Sequence, residues 1–276
     1  MRCLHFILSH SIFIAVCAVA MASQTILLLK LNHPIYLYGF IFFATLCSYN
    51  FYWIISKAAF APGNGLGMLI KKDTTGLVIL FLSAIGVFFC LFKYPLPVEF
   101  VITSFLLTCL YTLPLLPFRA LYFARKAGVL KTFLLAFTWA YVTAFVPLQK
   151  TYVLLNSAEL FIFTRRFLFM LMLCIIFDNR DKAVDKIRGL HSLATDLKPA
   201  TLRILIYLIF ALLFISNFFF RSYGISVSQS IALQLSTISL LVVYFYSLKK
   251  QGYLFYYFFV DGLMLFSALA TYIAGI

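Results

Sequence analysis

The chain has 276 residues, of which 64% are hydrophobic and only 11% charged, and its formal charge is +14. A soluble domain carries about 25% charged residues, so this composition excludes one, and no polar block is long enough to form a separate soluble unit. Only helices or closed barrels satisfy their backbone in lipid, and the alternating segments of about ten residues that build a barrel are absent. The expectation is an all-α polytopic membrane protein forming a single domain over 1–276.

Nine spans are expected in chain order, at approximately 6–29, 35–55, 77–93, 98–117, 129–148, 159–177, 202–220, 227–247 and 254–275. The first begins after Arg2 and contains Ala18-Val19-Ala20, which is similar to a secretion signal. Its apolar run is long enough to cross a bilayer at about 20 residues, so it is read as a retained helix. Pro34, Pro95, Pro97 and Pro199 mark connections, where a missing N–H costs least. The six cysteines lie in or beside apolar runs and form no CxxC pair, so they are read as small hydrophobes.

The basic residues set an expected orientation. Outside the spans, nearly all fall at the N-terminus and after spans two, four, six and eight. Lys30, Lys93, Lys150 and Arg221 fall on the other side. The positive-inside rule then puts the N-terminus in the cytoplasm and the C-terminus outside, in a bacterial cytoplasmic membrane. Basic residues spread over membrane-proximal loops do not suggest a nucleic-acid partner. The loops 56–76, 118–128 and 178–201 are long and polar, so any chemistry is expected to face the cytoplasm. Residues 61–67 form a glycine-rich loop without the Lys-Ser/Thr of a phosphate loop, read as a connector or a cap.

Three of the eight acidic residues lie within Asp178–Asp185, directly after the sixth apolar run. If 178–188 continues that helix, Asp178, Asp181 and Asp185 share one face. Three carboxylates on a stripe repel one another unless cations sit among them. Mg²⁺ held by carboxylates and substrate phosphates would supply one, and the interleaved Arg180, Lys182, Lys186 and Arg188 would supply others. Arg165 and Arg166 inside span six are expected to snorkel outward or to pair with Glu159. Asp261 in span nine is expected to pair with Arg166 across the bundle. His5, His10, His33 and His191 have no metal-ligand spacing, although His191 adjoins the acidic stretch.

The pattern Asp178-x-x-Asp181-x-x-x-Asp185-Lys186-x-x-Gly189-x-x-Ser192-Leu193 resembles the second aspartate-rich motif of the intramembrane prenyltransferases, the UbiA superfamily. Tyr111-Thr112-Leu113-Pro114, the basic loop after it, Lys131 and Trp139 also resemble that family's connection between helices four and five. The resemblance implies a nine-helix bundle that moves a prenyl group from a prenyl diphosphate to an unidentified acceptor, with Mg²⁺ as cofactor. It implies metal-binding roles for Asp178, Asp181 and Asp185, catalytic roles for Asp181 and Asp185, and diphosphate contacts from Asn50, Arg119, Arg125, Lys126, Lys131 and Arg188. The family's first motif carries carboxylates that here are missing. Asn50 stands in that place, and no acid follows until Asp73. Lys57, Lys71 or Lys72 would offer an ammonium in place of a metal's charge. The missing acids favour an alternative, a non-catalytic relative that binds an isoprenoid or another lipid or serves as a membrane partner. A transporter is the weaker third reading, since no internal repeat with paired broken helices is seen.

Overall fold

The structure is a computed structural model that describes residues 2–59, 73–112, 128–150 and 155–276. Eleven α-helices are seen among them: α1 Arg2–Ser9, α2 Ile12–Leu28, α3 Ile35–Ala59, α4 Thr74–Lys93, α5 Val98–Thr112, α6 Gly128–Ala140, α7 Ser157–Arg188, α8 Leu193–Asp196, α9 Pro199–Ser216, α10 Val227–Ser247 and α11 Asp261–Ile273. No strand occurs among the described residues. Two π-helical segments, Tyr141–Phe145 and Phe255–Val260, extend α6 and precede α11.

Among the described residues, seven helices are long and apolar enough to cross a bilayer, and the bent pair α1–α2 would make eight. The chain is therefore an integral multi-pass membrane protein. The expected first span is not one straight helix. It bends by 68° where Ser11 takes a left-handed conformation, φ 64°. Just before the bend, Ser9 Oγ donates to the Phe6 carbonyl and His10 Nδ1 lies 3.0 Å from the same oxygen. Such local side-chain bonds compete with the helical ladder. The expected fourth span, 98–117, is described only to Thr112, as a helix of 15 residues, so the full count of nine is not reached among the described residues.

Helix α7 is the axis of the bundle, with the most thoroughly buried apolar window of the candidate spans. It packs against α6, α8, α9 and α10, while α11 returns to α2 and closes the ring. Its 32 residues make it about 48 Å long at ~1.5 Å per residue. The hydrocarbon core is about 30 Å thick, so roughly three turns stand beyond it. The start of α7 is fixed by a reciprocal cap. Asn156 Oδ1 accepts from Glu159 N at 2.8 Å, and Glu159 Oε2 accepts from Asn156 N at 3.0 Å. Lys150 Nζ pairs with Glu159 Oε1 at 2.7 Å. The helix ends at Gly189, φ 65°, a left-handed value that glycine takes without strain.

The two intramembrane arginines correct the expected pairings. Glu159 is taken by Lys150, and neither arginine reaches outward. Arg165 is 9% exposed, donates to the Leu213 carbonyl at 2.9 Å and Ser216 Oγ at 2.6 Å, and lies 4.8 Å from the centroid of the Phe220 ring. Arg166 is 4% exposed and is bound by uncharged acceptors of α2 and the first π segment. With no donor of Arg166 directed to it, Asp261 is not its partner.

The end of α7 folds back on α6 through residues 190–192. Gly128, at the start of α6, makes this approach possible. A Cβ there would stand 2.4 Å from both the His191 carbonyl carbon and the Ser192 nitrogen. These are backbone atoms and cannot swing aside. Gly128→Ala is expected to lower stability by about 1–3 kcal/mol, read as a lower thermal midpoint in detergent. Gly262→Ala, whose Cβ would meet Phe13 at an ordinary 3.7 Å, is expected to show no such loss.

Candidate functional site

The acidic stretch forms the last turns of α7, and the helix carries it without a break. Around the helix axis Asp178 and Asp185 differ by about 20°, whereas Asp181 is displaced by about 60° from Asp178 at ~100° per residue. That displacement separates their partners. Asp178 Oδ2 accepts from Thr132 Oγ1 of α6 at 2.5 Å, and Thr132 Oγ1 in turn accepts from Leu193 N at 3.3 Å. Asp185 is 8% exposed, with Lys131 and Arg188 within electrostatic reach. Asp181 turns to its neighbour, where Arg180 Nε and Nη2 donate to its two oxygens at 2.7 Å each. The Arg180 guanidinium lies 4.8 Å from the Phe177 ring centroid and 5.0 Å from those of Tyr256 and Tyr257. A bidentate pair stacked on rings is held in place from both sides.

Lys131 on α6 faces this cluster. Its ammonium is within electrostatic reach of Asp178, Asp181 and Asp185, and 5.9 Å from the Tyr111 ring centroid. Tyr111 stacks on Tyr52 of α3 at 5.1 Å between centroids. Deeper in the bundle, Trp139 Nε1 donates to Tyr49 Oη at 3.2 Å. Tyr52 with Tyr111 and Tyr49 with Trp139 thus form two ring pairs that join α3 to α5 and α6. Tyr111 and Trp139 lie in the stretch that resembles the family's connection between helices four and five, but nothing in the sequence marked any of these rings as a site residue among 33 Phe and 17 Tyr. Thr132 was equally unmarked, although it adjoins Lys131.

Asn50 is buried at 4% exposure, and its Nδ2 donates to the His10 carbonyl at 3.2 Å and the Leu46 carbonyl at 2.8 Å. It lines a cavity of about 190 Å³ with Ser9, His10, Trp53, Lys57 and Asp73, and none of the three aspartates lines that cavity. Lys57 pairs with Asp73. The cavity that Asn50 lines is thus not one that the aspartates line, and the Lys57 ammonium is committed to a carboxylate. His191 pairs with Asp196 at 2.6 Å. Arg119, Arg125, Lys126, Lys71, Lys72 and the glycine-rich loop lie outside the described residues.

No group of three or more His, Cys, Asp or Glu side chains close enough to hold a metal ion is found among the described residues. Arg180 occupies both oxygens of Asp181, whereas it gives no hydrogen bond to Asp178 or Asp185 among the described residues. Two hard oxygen donors still fit Mg²⁺, which takes one or two carboxylates and completes its shell from substrate phosphates and water.

No protein-family model matches the chain, and no curated protein does. Its structure is similar to that of an apo UbiA homolog from Aeropyrum pernix K1, with a TM-score of 0.62 at 12% identity over 94% of this chain and 96% of that one. It is also similar to a digeranylgeranylglyceryl phosphate synthase, with a TM-score of 0.55 at 14% identity over 100% of this chain and 99% of that one. At these identities the likeness is one of fold. The chain has the UbiA-type fold, as its second acidic motif led us to expect.

Proposed function

We propose that this chain is a prenyltransferase that takes a prenyl diphosphate and moves its prenyl group to an acceptor at the cytoplasmic face of a membrane. The observation that supports this reading is that Lys131 of α6 is within electrostatic reach of Asp178 and Asp185 of α7 and lies 5.9 Å from the ring centroid of Tyr111, which stacks on Tyr52. The positive-inside bias supports a cytoplasmic placement of that end, with the N-terminus on the same side and the C-terminus outside.

In this reading the diphosphate lies against Lys131, and the prenyl chain runs down along Tyr52, Tyr111, Tyr49 and Trp139. Asp178 and Asp185 would hold Mg²⁺, which supplies charge neutralisation to the departing diphosphate. The C1–O bond breaks and its electron pair leaves with the diphosphate. Lys131 places a fixed positive charge where negative charge develops. The ring faces stabilise the allylic cation and keep water from it. The acceptor then attacks C1 with its own electron pair, and the proton it gives up passes to the released diphosphate or to water. Thr132 orients Asp178, and Arg180 holds Asp181 away from the other two carboxylates.

The test is release of diphosphate from labelled farnesyl or geranylgeranyl diphosphate by purified protein with Mg²⁺ and a panel of acceptors. Asp178→Asn and Asp185→Asn are expected to lose about 100-fold in rate, roughly the effect of removing one transition-state stabiliser. Asp181→Asn is expected to lose less, because Arg180 already occupies that carboxylate. Full activity in both of the first two variants would contradict the assignment. The second reading, a lipid-binding relative without catalysis, is favoured by Asn50, whose amide donors are spent on backbone carbonyls in the place where the family carries acids. It gains if the wild type binds the diphosphate yet releases none with every acceptor tried.

A further inference from the structure

Helices α9 and α10 are consecutive and pack against each other. Near the start of α9, the Tyr207 ring meets the Phe245 ring near the end of α10, with centroids 6.4 Å apart. The two helices therefore run antiparallel, and the start of one lies level with the end of the other. Arg203 stands four residues before Tyr207, and Lys249 stands four residues after Phe245. Each is thus about one turn, ~6 Å, beyond the ring contact toward the same end of the bundle. Lys249 N still donates to the Tyr246 carbonyl at 3.2 Å, so the chain keeps turning there. Lys198, at the N-cap of α9, and Lys250 lie further out. All four cationic side chains are exposed.

No carboxylate answers these charges. None of the four enters a salt bridge among the described residues, and the acid nearest in sequence, Asp196, is paired with His191. Other cations at this end are met by acids. Arg180 is paired with Asp181, and Lys131 faces the three aspartates. Four uncompensated cations on one edge repel one another unless an external anion comes to them. On the membrane side of these cations, Tyr207 is 46% exposed and Tyr246 59% exposed. Exposed tyrosines are enriched where lipid headgroups meet hydrocarbon. A soluble anion would use only the cations. A phospholipid would use the cations for its phosphate and the rings for its glycerol and upper acyl chains. Clusters of four or more basic residues beside the end of a membrane helix suit anionic headgroups.

We propose that the edge formed by the start of α9 and the end of α10 is a binding surface for an anionic phospholipid, with the headgroup among Lys198, Arg203, Lys249 and Lys250 and the chains against Tyr207 and Tyr246. This surface is separate from the aspartates of α7 and does not depend on the prenyltransferase reading.

The experiment titrates purified full-length protein in detergent with dioleoyl phosphatidylglycerol and, separately, dioleoyl phosphatidylcholine, and reads the lipid-bound fraction by native mass spectrometry. Wild type is expected to bind phosphatidylglycerol about tenfold or more tightly than phosphatidylcholine. The variant with Lys198→Gln, Arg203→Gln, Lys249→Gln and Lys250→Gln is expected to bind the two lipids within about twofold of each other. Lys249→Gln with Lys250→Gln lies beyond the last residue of α10, and it is expected to lose part of the preference even if the fourfold variant does not fold. Lys30→Gln with Lys93→Gln, on the opposite side of the membrane, is expected to keep the preference. No preference in wild type, or one that both the fourfold and the twofold α10 variants retain, would overturn the proposal. So would an equal loss in the Lys30, Lys93 variant, which would mean that net charge alone attracts the lipid. Displacement of phosphatidylglycerol by millimolar inorganic phosphate would overturn it as well, in favour of a site for soluble anions.

Discussion

Lys131→Met is expected to weaken binding of an uncleavable prenyl thiodiphosphate by about 100-fold, the effect of removing one partner of a desolvated charge pair. Methionine keeps an unbranched apolar stem of similar length and deletes the ammonium. Among the described residues, this is the cation whose charge reaches all three aspartates from a facing helix. Without it, the diphosphate would approach Asp178 and Asp185 with one neutralising positive charge fewer. The rings of Tyr52 and Tyr111 would remain, so binding of an uncharged prenyl alcohol is expected to change little. Lys131→Arg restores the charge with a bulkier, planar head, and its affinity is expected between those of the other two. Equal thiodiphosphate affinity in Lys131→Met and wild type would remove Lys131 from the site.

Arg166→Leu is expected to carry the largest stability loss, about 3–5 kcal/mol, the range for breaking a buried charged network from one side. Arg166 donates to the Met21 carbonyl at 2.8 Å, Gln24 Oε1 at 2.9 Å, Thr25 Oγ1 at 3.1 Å and Thr143 Oγ1 at 3.3 Å. Gln24 passes the connection on, its Nε2 donating to Ser267 and Thr271 of α11 at 2.8–3.0 Å. One guanidinium thus ties α7 to α2 and the π segment Tyr141–Phe145, and through Gln24 to α11, the helix that closes the ring. Leucine would leave the Gln24 amide oxygen buried without its donor and remove one of the donors to the Met21 carbonyl. The measurement is the midpoint of unfolding in detergent, where Arg166→Lys should fall between the two. An unchanged midpoint in Arg166→Leu would mean that the network does not hold the helices together.

Much of the fold was legible because apolar periodicity and span length report directly on lipid. The long helices α3, α4, α7, α9, α10 and α11 lie where the apolar runs placed them. The break at Ser11 was not legible, since a left-handed serine between apolar residues has no signature in composition. Among the site residues, the acidic turns of α7 were visible from spacing alone, and the continuity of the helix beyond residue 177 follows from its length. Their partners were not visible. Whether Asp181 meets a metal or its neighbour Arg180 depends on the rings of Tyr256 and Tyr257, which come from a helix far away in sequence. The same holds for Arg166, whose partners on α2 are uncharged and so escaped a search for opposite charges. Asn50 shows the reverse case. The motif position was recognisable, but its amide is spent on two backbone carbonyls, and only the packing of the α1–α2 bend against α3 reveals this.

In the proposed function, Asp178 and Asp185, facing Lys131, form a prenyl-diphosphate site. It is tested most directly by saturation binding of radiolabelled farnesyl or geranylgeranyl thiodiphosphate, with Mg²⁺, to the purified protein and to the double variant Asp178→Asn, Asp185→Asn. We predict saturable binding by wild type that falls by about tenfold or more in the double variant, at least 1.4 kcal/mol. Binding that is equal in the two proteins would contradict the claim.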